Sequence, residues 1–161
     1  MHGGDPMDNT RTDWGFTLVE MLIVMAIVVI LAALAWPNYS RHGVRVKRIE
    51  GQVALIDAMQ QEERFQAQHN RYAAFSSTAT DDDAQAFRWW SGHDAAASAY
   101  ELDAHACADA SLAECVEIRA RPGTARVDAR FRDPDCGTLT LDSLGRQGAE
   151  PVAGSGVRCW P

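Results

Sequence analysis

An α+β fold, one long N-terminal helix followed by a small four-stranded antiparallel sheet, is what the sequence predicts, and three observations predict it. Residues 21–40 contain no charge and are nearly all apolar as far as Trp36. Beyond them Val46, Ile49, Val53, Ile56 and Met59 recur at spacings of 3, 4, 3 and 3, the period of a helical face. After residue 98 the period drops to two, which is that of strands with one wet side. The 161 residues, 47% of them hydrophobic, suffice for a core of ordinary size. A formal charge of −7 argues against a chain that binds polyanions over its whole surface.

The first element is the apolar run. From Trp14 to Ser40 the only charge is Glu20, and 27 helical residues extend roughly 40 Å, enough to span a bilayer. A cleaved secretory signal has a shorter apolar region and ends at small residues, whereas this run ends in Trp36-Pro37-Asn38-Tyr39. An ionised carboxylate at Glu20 costs roughly 2.5 kcal/mol or more in such a helix unless it is paired.

Directly before the apolar run stands Gly15-Phe16-Thr17-Leu18-Val19-Glu20. This hexapeptide resembles the processing site of type IV pilins and of the related pseudopilins of type II secretion. The resemblance implies a leader, 1–15, removed by the prepilin peptidase between Gly15 and Phe16, with N-methylation of Phe16 by the same peptidase/methyltransferase. It implies an inner-membrane and assembly segment, 16–40, in which Glu20 meets the new amino group of a neighbouring subunit. That α-amino group has a reference pKa of about 7.7–8.0 and is protonated at neutral pH. Pro37 and Tyr39 sit where many pilins carry proline and tyrosine. The leader is acidic, with Arg11 against Asp5, Asp8 and Asp13, where pilin leaders are usually basic, and Met7 offers a second start. A plain count of Arg41, Arg45, Lys47 and Arg48 places the C-terminal part in the cytoplasm. The four cysteines, all beyond residue 100, place it in an oxidising compartment, and together with the processing motif they point to a periplasmic C-terminus.

The third segment, 41–161, is expected to be the soluble head. Its helix should turn Val46, Ile49, Val53, Ile56 and Met59 onto the domain and Arg48, Gln52, Gln60, Gln61 and Glu62 to water. Gly43 and Gly51, with Pro37, mark where it could bend. It should end near Asn70, before a polar loop, 76–83. Asp81, Asp82 and Asp83 lack the spaced ligands and glycine of a calcium loop and read as a solvated loop. Trp89 and Trp90 read as anchors of that loop to the sheet.

Four strands follow. Tyr100, Leu102, Ala104 and Ala106 alternate with charged residues, as do Val116, Ile118 and Ala120. After the Pro122-Gly123 turn, Val127, Ala129 and Phe131 alternate with Arg126, Asp128, Arg130 and Arg132, and Leu139 with Leu141 makes the fourth. The meander should cover the C-terminal half of the helix. Cys107 and Cys115 are eight residues apart, which suits a bridge across the first hairpin. A zinc site from Asp103, His105, Cys107 and Cys115 is the alternative, disfavoured because a strand positions only three such groups. The stretch from Cys136 through Leu141, Gly145 and Gly148 to Cys159-Trp160 resembles the cysteine-closed C-terminal region of pilins, most like PilE-like minor pilins, and that resemblance implies a Cys136–Cys159 bridge.

No phosphate loop, G-x-S-x-G elbow or H-E-x-x-H motif is present in the sequence, and no cofactor or metal is called for. The remaining feature is the row Arg119, Arg121, Arg126, Arg130 and Arg132, expected on the wet face of two adjacent strands. Its plain reading is a solvated face balanced by Glu117 and Asp128; its sharper one is contact with DNA phosphates. The resemblance implies a structural minor pilin of a cell-surface filament for motility, adhesion or DNA uptake. Its expected partners are other pilin subunits, the peptidase, the inner-membrane assembly platform and, on the sharper reading, DNA. A type II secretion pseudopilin and a DNA-binding pilin at a filament tip are the alternatives.

Overall fold

The computed structural model describes residues 17–151 and 158–161, with the side chains of 35–41 also outside the description. The elements are α1 (Leu18–His69), α2 (Asp82–Gln85), β1 (Tyr100–Ala106), β2 (Val116–Pro122), β3 (Thr138–Asp142) and β4 (Gln147–Glu150). The chain divides into two compact units, 1–40 and 41–161.

In the first unit Thr17 caps α1: its Oγ1 accepts from the Glu20 amide at 3.2 Å, satisfying one of the donors that a helix start leaves open. Every side chain described from Leu18 to Leu34 is exposed. Among the described residues no helix is long and apolar enough to cross a membrane.

In the second unit the sheet order is β1-β2-β3-β4, every neighbour antiparallel. The registers Leu102↔Ala120, Ala104↔Ile118, Ile118↔Leu141 and Ala120↔Leu139 put the apolar residues of three strands on one face. That face joins Ala54, Leu55 and Ala58 of α1, together with Phe75 and Phe87, in one core. The free edge of β1 is covered by the preceding loop, where the Leu102 amide donates to the Trp89 carbonyl at 2.7 Å and the Ala104 amide to the Phe75 carbonyl at 2.9 Å. A covered edge offers no template for strand addition. Asn70, at φ 55°, ends α1 in the left-handed conformation that asparagine tolerates.

Three expectations need correction. Residues 126–132 form a looped segment and not the third strand. The Asp128 carboxylate accepts from the Arg130 amide at 3.0 Å, and the Phe131 amide donates to the Asp128 carbonyl at 3.0 Å, closing a turn that interrupts any ladder. The fourth strand is instead Gln147–Glu150, too short and too polar to announce itself. The helix is also rotated from its expected setting. Val46, Ile49, Val53 and Ile56 are 42–51% exposed and only Met59 of the expected stripe packs against the core, while Arg48, Gly51, Ala54, Leu55, Ala58 and Glu62 are buried. Small residues win that face because the sheet comes close. A Cβ on Gly51 would lie against the buried ring of Tyr100, so this glycine makes room for packing where a bend was expected.

Candidate functional site

Gly15 and Phe16 lie outside the described residues, as does the side chain of Pro37. Glu20 falls in the first turn of α1, exposed, its own amide held by Thr17. Within the soluble unit the conspicuous feature is the outward face of α1, where Val46, Ile49, Val53 and Ile56 stand in a line at helical spacing. Four aliphatic side chains so exposed are an unusual surface for a free monomer.

The arginine row is broken up. Arg119 and Arg121 do point from the wet face of β2, yet acids meet them there. Arg121 Nε lies 3.0 Å from Asp103 Oδ1, and its Nη2 lies 3.7 Å from Glu101. Arg119 Nε lies 3.6 Å from Asp103 and 4.0 Å from Glu117, with its Nη2 3.1 Å from His105 Nδ1. The β1–β2 register dictates this, pairing Glu101 with Arg121, Asp103 with Arg119 and His105 with Glu117. Arg132 turns its guanidinium onto the carbonyls of Ala129 and Phe131, each at 2.7 Å. Only Arg126 and Arg130 of the five are exposed with guanidinium groups that meet no partner among the described residues.

The loop that carries those two arginines is anchored from below by a buried ion pair that the periodicity did not reveal. Arg48 of α1 donates through Nε and Nη2 to the two carboxylate oxygens of Asp133 at 2.8 and 2.7 Å. The Tyr100 hydroxyl adds a bond of 2.7 Å to the same carboxylate and the Cys136 amide one of 3.2 Å. Burial alone would push the Asp133 carboxyl up, but the donors from Arg48, Tyr100 and Cys136 together outweigh it and hold it below its ordinary value. The hydrogen bond to Asp133 raises Arg48 despite its burial. Burial, and then the bond to Asp133, raises Tyr100.

The cysteines are joined Cys107–Cys115 and Cys136–Cys159, with Cα separations of 5.5 and 5.6 Å. With both sulfurs bonded to each other, Cys107 and Cys115 present no thiolate to the zinc arrangement. Asp81 caps α2, its Oδ1 accepting from the Ala84 amide at 2.9 Å, and Asp83 pairs with Arg71, so the acidic triplet has structural work. Glu62 is fully buried. One of its oxygens accepts from the Ala73 amide at 2.9 Å, and the other has no partner among the described residues. Burial pushes this carboxyl up to about 7; the Ala73 bond pulls it down, and the neighbouring Glu63 charge pushes it up further.

A disulfide-closed antiparallel meander packed on the C-terminal half of one long helix, whose outward face stays apolar, defines a structural subunit of the pilin class. Comparison with known proteins gives the family. Residues 37–140 match the model of the type IV minor pilin ComP, DNA uptake sequence receptor, and residues 15–36 match the prokaryotic N-terminal methylation motif. The chain belongs to this family of type IV minor pilins, a structural and not an enzymatic family, and carries the methylation motif of membrane-anchored pilus subunits. It is 38% identical over 63 residues to the type IV major pilin protein PilA of Myxococcus xanthus, covering 39% of this chain and 29% of that one. It is 40% identical over 64 residues to the type IV wide pilus major component PilA4 of Thermus thermophilus, covering 40% and 49%. The aligned region thus spans less than half the length of either relative. A solved type IV pilin from Shewanella oneidensis aligns over 73% of this chain and 98% of that one, at 24% identity and a TM-score of 0.44.

Proposed function

We propose that the chain is a minor subunit of a type IV pilus. Cleaved between Gly15 and Phe16 and methylated on Phe16, it is held in the inner membrane by residues 16–40 with its C-terminus periplasmic. The assembly platform then delivers it into a filament among other pilin subunits. The observation that carries this reading is the outward row Val46, Ile49, Val53 and Ile56, an apolar face that helix-to-helix packing between subunits would cover. Glu20, pairing with a neighbour's amine, would neutralise both charges as helices bundle. The Cys136–Cys159 bridge favours a pilin over a type II secretion pseudopilin, in which that region more often closes without it. Val53→Asp should leave the head folded with both disulfides, since the side chain is exposed, yet reduce incorporation into sheared filaments at least about tenfold by desolvating a charge in each contact. Mass spectrometry of the filaments should find the wild-type chain beginning at methylated Phe16. Undiminished incorporation of the variant would remove the apolar face from assembly.

A second reading, a DNA receptor within the filament, is supported by the description of the matched family and by the unpaired guanidiniums of Arg126 and Arg130. Two such groups on one loop suit phosphates more than bases, so they would position DNA without reading it. With a net charge of −4 from Arg41 onward, the attraction must be local. Titrating the full chain in detergent with duplex DNA at rising salt, the double change Arg126→Gln, Arg130→Gln should lower the log–log salt slope by about 2, at about 0.9 per phosphate. Arg119→Gln with Arg121→Gln should change it little, because acids already neutralise that pair. A slope indifferent to Arg126 and Arg130 would exclude this loop.

A further inference from the structure

A cleft of about 400 Å³ lies between the start of the soluble part of α1 and the C-terminal tail, lined by Arg45, Ile49, Gln52, Arg158, Trp160 and Pro161. Its walls are held in place. Gln52 Nε2 donates to the Cys159 carbonyl at 2.5 Å, Cys159 is bridged to Cys136, and the Trp160 indole N–H donates to the Gly148 carbonyl at 2.7 Å. Among the described residues no acidic side chain lines the cleft. Arg45 and Arg158 are exposed, and their guanidiniums meet no partner among the described residues, whereas nearby Lys47 is taken up by Glu50 at 2.9 Å and Arg48 by Asp133.

We propose that this cleft holds the phosphate headgroup of an anionic phospholipid while the subunit waits in the membrane before assembly, an inference that rests on the anchored-subunit reading above. Arg45 is five residues beyond Ser40, so the chain places it within about 18 Å of the end of the membrane segment even if fully extended. Two guanidiniums lining one cleft are suited to bidentate recognition of a phosphate. Trp160 and the half-exposed Ile49 supply an apolar wall for the glycerol end, in the combination of tryptophan and arginine that populates membrane interfaces. The chain also gains a reason for its basic residues after the apolar run. On a plain count they vote for the cytoplasm, yet a headgroup contact gives Arg45 a partner on the periplasmic side.

The test reconstitutes the full chain into vesicles of phosphatidylcholine alone or mixed equally with phosphatidylglycerol, each with a trace of headgroup-spin-labelled lipid. Quenching of Trp160 is read as the difference between wild type and Trp160→Phe. Stronger quenching in the anionic vesicles is expected, with Arg45→Gln and Arg158→Gln each lowering the docked-to-undocked ratio about fivefold, while both disulfides and the near-UV spectrum persist. Equal quenching in neutral and anionic vesicles would overturn the headgroup site. So would release of the signal by inorganic phosphate at an ionic strength where sodium chloride leaves it intact, which would make the cleft a site for the free anion. If carbonate instead washes the wild-type chain off the vesicles, the anchored reading fails, and this one with it.

Discussion

Asp133→Ala should destabilise the head by about 3–5 kcal/mol. The carboxylate is completely buried, and its removal strands the guanidinium of Arg48, itself only 7% exposed, along with the Tyr100 hydroxyl and the Cys136 amide. The cost arises from leaving a buried cation without its counter-ion, more than from the net worth of the pair. A double variant, Arg48→Met with Asp133→Leu, should therefore recover most of the loss. Urea unfolding of the full chain in detergent, monitored by near-UV dichroism, reads both. If the single variant loses less than 1 kcal/mol, the pair is not the anchor described. Because the folded-state Asp133 carboxyl lies below its ordinary value, its stabilisation is present above the ordinary carboxylate range and lost as pH falls through the folded value.

Glu62 should give the opposite pH dependence. Its folded value near 7, against 4.5 as a reference, means that the folded state holds a proton that the unfolded state releases. Stability is then full below pH 4.5, falls as pH rises through the interval, and levels off above 7, a change of about 3 kcal/mol between pH 4 and pH 8. Glu62→Gln keeps an acceptor for the Ala73 amide and has no charge to bury, so the difference between the two proteins isolates this group. The variant should match the wild type near pH 4 and exceed it at pH 8. Stability curves that stay parallel across this range would show that Glu62 is not buried as an acid.

The two halves of the chain were unequally legible. Tyr100, Leu102 and Ala104, and then Val116, Ile118 and Ala120, alternate cleanly because each strand has one face on the core and one on water, and both emerged at their expected places. The segment of Arg126 to Arg132 alternates for a different reason. Val127 is buried and Phe131 packs edge-on against Tyr100 at 5.3 Å between ring centroids, whereas Ala129 between them is exposed, so a loop held by local hydrogen bonds covers two of the three apolar positions without pairing. Periodicity reports burial, and burial does not require a ladder. Helix α1 misleads in the same way. Its most apolar stripe predicts contact with the chain's own core, on the premise that a chain covers its hydrophobic residues by itself. The core instead took Gly51, Ala54 and Ala58, whose small size admits the sheet, and accepted Arg48 and Glu62 with them. Of the site, the arginine row was legible as composition alone, since the acids opposite it become visible only with the register of β1 on β2.

The Cys136–Cys159 bridge also bears on how the subunit would carry a pulling force. The 23 steps of chain between the two cysteines include β3 and β4, and the covalent link takes that whole stretch out of the line of tension. Roughly 80 Å of contour length is thereby withheld from extension, however hard the ends are pulled. Load entering through α1 meets the Arg48–Asp133 pair and the hydrogen bond from Gln52 to the Cys159 carbonyl before it reaches the bridge. A subunit wired this way yields at those polar contacts first, and its segment from Cys136 to Cys159 stretches no further than the bridge allows.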